Sequence, residues 1–96
     1  MQLEFFPRLE RYAANDNFYK SDEWLRLRYL AIREAGGKCQ CCGQRPAHGN
    51  PIQGDHIKPI SRYPWLALDP DNIQVLCRNC NMGKSNIDET DWREYG

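Results

Sequence analysis

Two Cys-x2-Cys turns, Cys39-x-x-Cys42 and Cys77-x-x-Cys80, constrain this chain more than any other feature. Each turn presents two thiolates at neighbouring corners, and four thiolates close a tetrahedral zinc site with no open position. Such a site ties together segments separated by 34 intervening residues. A chain of 96 residues is one domain with a modest core, and small domains commonly need a staple of this kind. Two other readings use the same residues. A thioredoxin-like redox pair needs only one Cys-x2-Cys and a βαβ setting, which the pattern lacks; an iron–sulfur cluster takes four thiolates as zinc does. Cys41 adjoins Cys42 and leaves the register open, but Cys39/Cys42 fits the knuckle spacing and makes Cys41 the bystander. Five cysteines is an odd number, which a closed disulfide framework would not use. No basic stretch followed by an apolar run opens the chain, and no apolar segment nears the roughly 20 residues that span a bilayer. The expectation is a protein without signal peptide or membrane contact, in the cytoplasm, where cysteines are metal ligands more often than disulfides.

Local patterns predict an α+β arrangement. Ser21 suits a helix N-cap, Asp22 and Glu23 favour the first turn, and Trp24, Leu27, Leu30, Ala31 and Ala35 form an apolar stripe at helical spacing. Gly36-Gly37 ends that helix, expected over about 22–35. Pro7 is suited to open a shorter helix through Leu9 and Tyr12. Gly54 to Lys58 reads as a short strand ended by Pro59, residues 59–71 as a proline-rich loop, and Ile73 to Leu76 as a second strand. A turn into a helix follows from Cys77 to about Asn86.

The chemistry-bearing residues lie around the cysteine turns: Asp55-His56, Asn72 and Asn81. Phosphodiester hydrolysis needs a base for water and a cation for the charge developing on phosphate and leaving oxygen. Histidine suits the base, and Asp55 and Asn81 offer oxygen ligands for a hard cation such as Mg²⁺. On a helix, Cys80 and Asn81 differ by about 100°, so one can face the zinc and the other the catalytic metal. Lys84, three residues after Asn81, is placed to reach a phosphate from that side. Neighbours on a regular strand point to opposite faces, so Asp55 and His56 serve one site only if the strand bends or ends there; Gly54 is the expected position of a bulge.

Together these residues carry a family resemblance. Cys39-x-x-Cys42, Asp55-His56-Ile57-x-Pro59 and Asp71-Asn72-Ile73-Gln74-x-Leu76-Cys77-x-x-Cys80-Asn81-x-x-Lys84 resemble the HNH endonucleases, and Tyr19-Lys20-Ser21-x-x-Trp24 and Gly37-Lys38-Cys39 resemble members with paired Cys-x2-Cys turns. The resemblance covers about residues 18–86, leaving 87–96 as an acidic tail on a single HNH nuclease domain spanning 1–96. It implies the ββα-metal (His-Me finger) core, here with an N-terminal helix and a four-cysteine structural zinc. It implies His56 as general base and Asn72 as the residue that holds the loop and orients the histidine. Asn81 takes the third position, where many members have histidine, and Asp55 would be its partner ligand for a catalytic Mg²⁺, Mn²⁺ or transition-metal ion.

The net charge is zero, which argues against a simple electrostatic DNA binder. From Gly36 to Lys84 there are six Lys/Arg against three Asp/Glu; from Ser85 to Gly96, one against four. Lys58 and Arg62, like Arg45, are candidate phosphate contacts, with solvated charge as the alternative. His48 reads as a solvated loop residue, and Tyr63, Trp65 and Trp92 as cover for the core rather than base-stacking platforms. The acidic tail reads as solvated, or else as a dock for a basic partner with Trp92 as anchor. The expected substrate is DNA, with RNA or junctions as a variant and a non-catalytic zinc module binding nucleic acid or protein as the alternative function. Small phage HNH proteins that assist a DNA-packaging terminase make a terminase subunit in a bacterial or phage-infected cell the expected partner.

Overall fold

The computed structural model describes residues 17–95. The helix expected from Pro7 lies outside them. Helix α1, Asp22–Glu34, starts where the caps require: the Ser21 hydroxyl accepts from the Trp24 amide at 3.3 Å. It ends at Gly36 and Gly37, both at positive φ, where the Gly37 N–H reaches back to the Ile32 carbonyl at 3.0 Å. Among the described residues no helix is long and apolar enough to cross a membrane.

Strands β1, Ile52–His56, and β2, Ile73–Cys77, pair antiparallel in a two-stranded sheet. The register runs without a break from Ile52 opposite Cys77 to His56 opposite Ile73. Gly54 is therefore not a bulge. It lets the sheet approach α1: a Cβ there would lie 3.1 Å from Arg28 Cγ and 3.3 Å from Trp24 Cζ2. The chain leaves β1 at His56 and crosses to β2 through the 3-10 turns Pro64–Leu66 and Pro70–Asn72. Helix α2, Arg78–Lys84, follows β2 directly. Its first N–H groups have partners, since the Arg78 amide donates to the Pro51 carbonyl (2.9 Å) and the Asn79 amide to Asn50 Oδ1 (2.9 Å).

Every residue of β2 is buried, because α1 covers one face of the sheet and α2 with the C-terminal segment the other. Two apolar clusters result. Phe18, Trp24, Ile60, Ala67 and Ile73 form one, extended by Leu27 and Ala31 of the predicted stripe. Cys39, Ile52, Val75, Leu76 and Cys77 form the other, at the cysteine end. The first cysteine turn docks on β2 as a strand would: Gln40 N–H donates to the Val75 carbonyl at 2.8 Å, and Gln40 Oε1 accepts from Val75 N–H at 2.8 Å.

Candidate active site and metal centre

The Sγ atoms of Cys39, Cys42, Cys77 and Cys80 all lie within 4.8 Å of one another. Thiolates about 2.3 Å from a tetrahedral zinc stand roughly 3.8 Å apart. Cys42 and Cys77 are already at 3.8 Å. Cys41 does not belong to this group, which supports the expected register. Burial alone would raise the Cys39 thiol, but backbone hydrogen bonds from Cys42, Cys77 and Cys41 outweigh it and bring it down to about 6. Cys80 is pushed up, by burial first and by the Cys77 thiol next. Only a cation lets four thiols this close all ionise.

One residue past Cys80, and about 100° around α2, Asn81 faces away from this centre. Asn81, Asp55 and His56 line one cleft of about 340 Å³, with Tyr19 and Ser61 at its walls. The alternation of β1 is regular: Gln53 and Asp55 face α2, Gly54 and His56 face α1. Asp55 and His56 meet in one cleft because the strand stops at His56.

The His56 ring stacks on Trp24 with centroids 4.8 Å apart and planes 24° apart. Its Nε2 lies 2.9 Å from the Ala67 carbonyl oxygen. A carbonyl only accepts, so Nε2 carries the proton, and Nδ1 of the neutral ring holds the lone pair. Burial lowers the His56 pKa, the Ala67 bond opposes that, and the Lys84 charge lowers it further. Asn72 joins the loop after β1 to the segment that leads into Ala67. Its Oδ1 accepts from Lys58 N–H at 2.8 Å, and its Nδ2 donates to the carbonyls of Lys58 (3.1 Å) and Leu66 (3.4 Å). Leu66 immediately precedes Ala67.

The family profile described as HNH endonuclease matches residues 39–86. A protein of Lactococcus phage SK1 named "Probable HNH endonuclease" is 32% identical over 73 residues, which cover 72% of this chain and 76% of that one. The chain belongs to the HNH endonuclease family. "Protein ea31" of Escherichia phage lambda is 40% identical over 50 residues, 52% of this chain but 16% of the lambda protein. No solved structure matches.

Three of the cations of this HNH domain that the sequence offered to phosphate each meet a carboxylate in the structure. Lys84 is buried, with Nζ 3.6 Å from Asp55 Oδ2. The helical spacing did place it on the Asn81 side, but a carboxylate already occupies its reach. Burial raises the Asp55 pKa; the Lys84 charge and the Gln74 hydrogen bond pull it down. Lys58 Nζ and Arg62 Nη2 both bind the Glu89 carboxylate, at 3.1 and 3.3 Å. Arg45 and His48 are exposed, as expected for loop residues.

The acidic tail is docked rather than free, although much of it stays exposed to solvent. It folds back along β2: Gln74 Oε1 accepts from Trp92 N–H at 2.8 Å, Gln74 Nε2 donates to the Thr90 carbonyl at 3.2 Å, and Arg93 Nη2 donates to the Asp71 carbonyl at 2.9 Å. Trp92 packs against the cysteine-end core, as expected of a covering residue, whereas Trp65 is half exposed beside Tyr63. Two residues of the site escaped the sequence reading. Gln53 Oε1 accepts from Asn81 Nδ2 at 2.8 Å, and Gln74 Nε2 donates to Asp55 Oδ2 at 3.1 Å. Period-2 alternation was the available signal for Gln53, which shares the face of Asp55.

Proposed function

We propose that this protein is a metal-dependent endonuclease that hydrolyses phosphodiester bonds of DNA, with His56 as general base. The observation that carries the reading is the tautomer imposed on His56. Its Nε2 is committed to Ala67, so the basic Nδ1 is the atom left to take a proton from water beside Asp55 and Asn81.

The four cysteines fit zinc by donor type and by spacing. In the cleft the donors are oxygen. Asp55 Oδ2 is held by Lys84 and Gln74, so Oδ1 is the donor that remains; Asn81 gives its amide N–H to Gln53 and keeps Oδ1. These oxygens fit a hard divalent ion such as Mg²⁺ or Mn²⁺. When bound there, the ion supplies positive charge to the scissile phosphate and the leaving oxygen. Asp55 and Asn81 hold it, and Gln53 fixes which atom Asn81 presents. Asn72 is a positioning residue, acting on His56 chiefly through the Lys58 backbone two residues beyond it. Lys58 and Arg62 contact the backbone of the substrate after exchanging the Glu89 carboxylate for phosphate, and Lys84 serves as counter-charge to Asp55 rather than as a phosphate contact.

The test is plasmid cleavage by zinc-loaded protein with Mg²⁺, Mn²⁺, Ni²⁺ or Zn²⁺ added, against the same protein in buffer without added metal. Cleavage that requires the added ion is expected; no cleavage with any of the four would refute the reading. Assistance to a phage DNA-packaging terminase is the finer proposal. It rests on the family resemblance and the phage origin of both relatives, and co-purification with a terminase large subunit tests it.

A further inference from the structure

Gln74 is the second residue of β2 and has no exposed surface. Both hydrogens of its amide are used, one on Asp55 Oδ2 (3.1 Å) and one on the Thr90 carbonyl (3.2 Å), while Oε1 accepts from Trp92 N–H (2.8 Å). An amide held at three points cannot turn without stranding a buried partner. The C-terminal segment that supplies two of those points is itself anchored on both sides of Gln74. Glu89 is bound by Lys58 and Arg62, and Arg93 is bound to Asp71 at the entrance to β2. Trp92 holds it down on the apolar cluster between them. This segment lies beyond residues 39–86, where the family profile ends.

We propose that Gln74 is a positioning residue of the nuclease centre, joining the docked C-terminal segment to Asp55 and so aiming that carboxylate into the cleft. The inference rests on the metal-dependent reading above. Asp55 has only two oxygens. Gln74 and Lys84 both take Oδ2, and this fixes the rotation of the carboxylate and hence the place of Oδ1. Lys84 alone, at 3.6 Å on a flexible stem, fixes charge but not orientation. Partners that orient a metal-ligating carboxylate typically change metal affinity about 10–100-fold when removed.

The experiment is calorimetric titration of Mn²⁺ into zinc-loaded wild type, Asp55→Asn, Gln74→Met and Trp92→Ala, with zinc content and melting temperature measured on each. Gln74→Met keeps the side-chain length and loses all three hydrogen bonds. It should keep its zinc and bind Mn²⁺ about 10-fold or more weakly, with cleavage largely recovered at saturating Mn²⁺. Trp92→Ala unseats the C-terminal segment without altering Gln74, and should weaken Mn²⁺ binding in the same direction. Unchanged Mn²⁺ affinity in folded Gln74→Met, whatever its melting temperature, overturns the inference. If that variant does not fold, unchanged affinity in Trp92→Ala does so. Failure of the underlying reading looks different: wild type binds no Mn²⁺, or Asp55→Asn binds it as well as wild type does.

Discussion

Replacing Asn72 by alanine removes the side-chain tie between the loop after β1 and the turn before β2 and leaves the backbone bond from Ile57 N–H to the residue-72 carbonyl. Two of the lost hydrogen bonds are short, from Lys58 N–H (2.8 Å) and to the Lys58 carbonyl (3.1 Å); the third, to Leu66 at 3.4 Å, is near the limit and counts for little. At a net contribution of roughly 1 kcal/mol each, the two short bonds amount to about 2 kcal/mol. A domain of this size shifts by roughly 4–8 °C per kcal/mol, so zinc-loaded Asn72→Ala should melt about 8–16 °C below wild type. Activity should fall further than stability. The Lys58 backbone, two residues beyond His56, loses its anchor, and a catalytic group displaced by about 1 Å can lose roughly 10²-fold in rate. The assay is thermal unfolding followed by circular dichroism, with plasmid cleavage measured well below both melting temperatures. A folded variant that melts within about 2 °C of wild type and cuts at the wild-type rate would refute the positioning argument.

The purified protein should carry one zinc per chain, and stripping it should unfold the domain, because the site joins the first cysteine turn to β2 and α2; elemental analysis that finds no zinc in folded, undepleted protein would count against it. Glu89→Gln should bind duplex DNA more tightly than wild type at about 150 mM salt, since it frees Lys58 and Arg62, and should show a steeper salt dependence; equal affinity by fluorescence anisotropy would show that neither cation meets phosphate. His56 accepts a proton only when neutral, and its pKa lies below the usual 6.5, through burial first and the Lys84 charge second, against the Ala67 bond. Lowering the pH therefore protonates it on an acid limb centred below 6.5; a limb centred above 6.5 would contradict the environment described for His56.

What the sequence made legible was local. Helix α1 is written in a cap and a 3.6-residue stripe, and the zinc centre in two turns whose geometry each knuckle sets for itself. The cleft followed from the resemblance and from the 100° step between Cys80 and Asn81. What stayed hidden depends on contacts far apart in the chain. Glu89 meets Lys58 and Arg62 across 31 and 27 residues, so composition showed an acidic tail and a basic middle but not that they neutralise each other. Gln74 stands among apolar neighbours in β2, where nothing local says that its amide finds partners on both Asp55 and the C-terminal segment. Gly54 read as a bulge because a strand glycine commonly marks one; only the approach of Trp24 and Arg28 shows why it lacks a side chain.

The central claim is that His56 Nδ1 is the base of a nuclease, and the most direct measurement is the single-turnover rate of DNA cleavage by His56→Ala beside wild type at saturating Mg²⁺ or Mn²⁺. The substitution touches neither cysteine pair, so zinc content should be unchanged, and loss of a general base should slow cleavage about 10²–10⁴-fold. A zinc-loaded, folded His56→Ala that cuts at the wild-type rate would contradict the account.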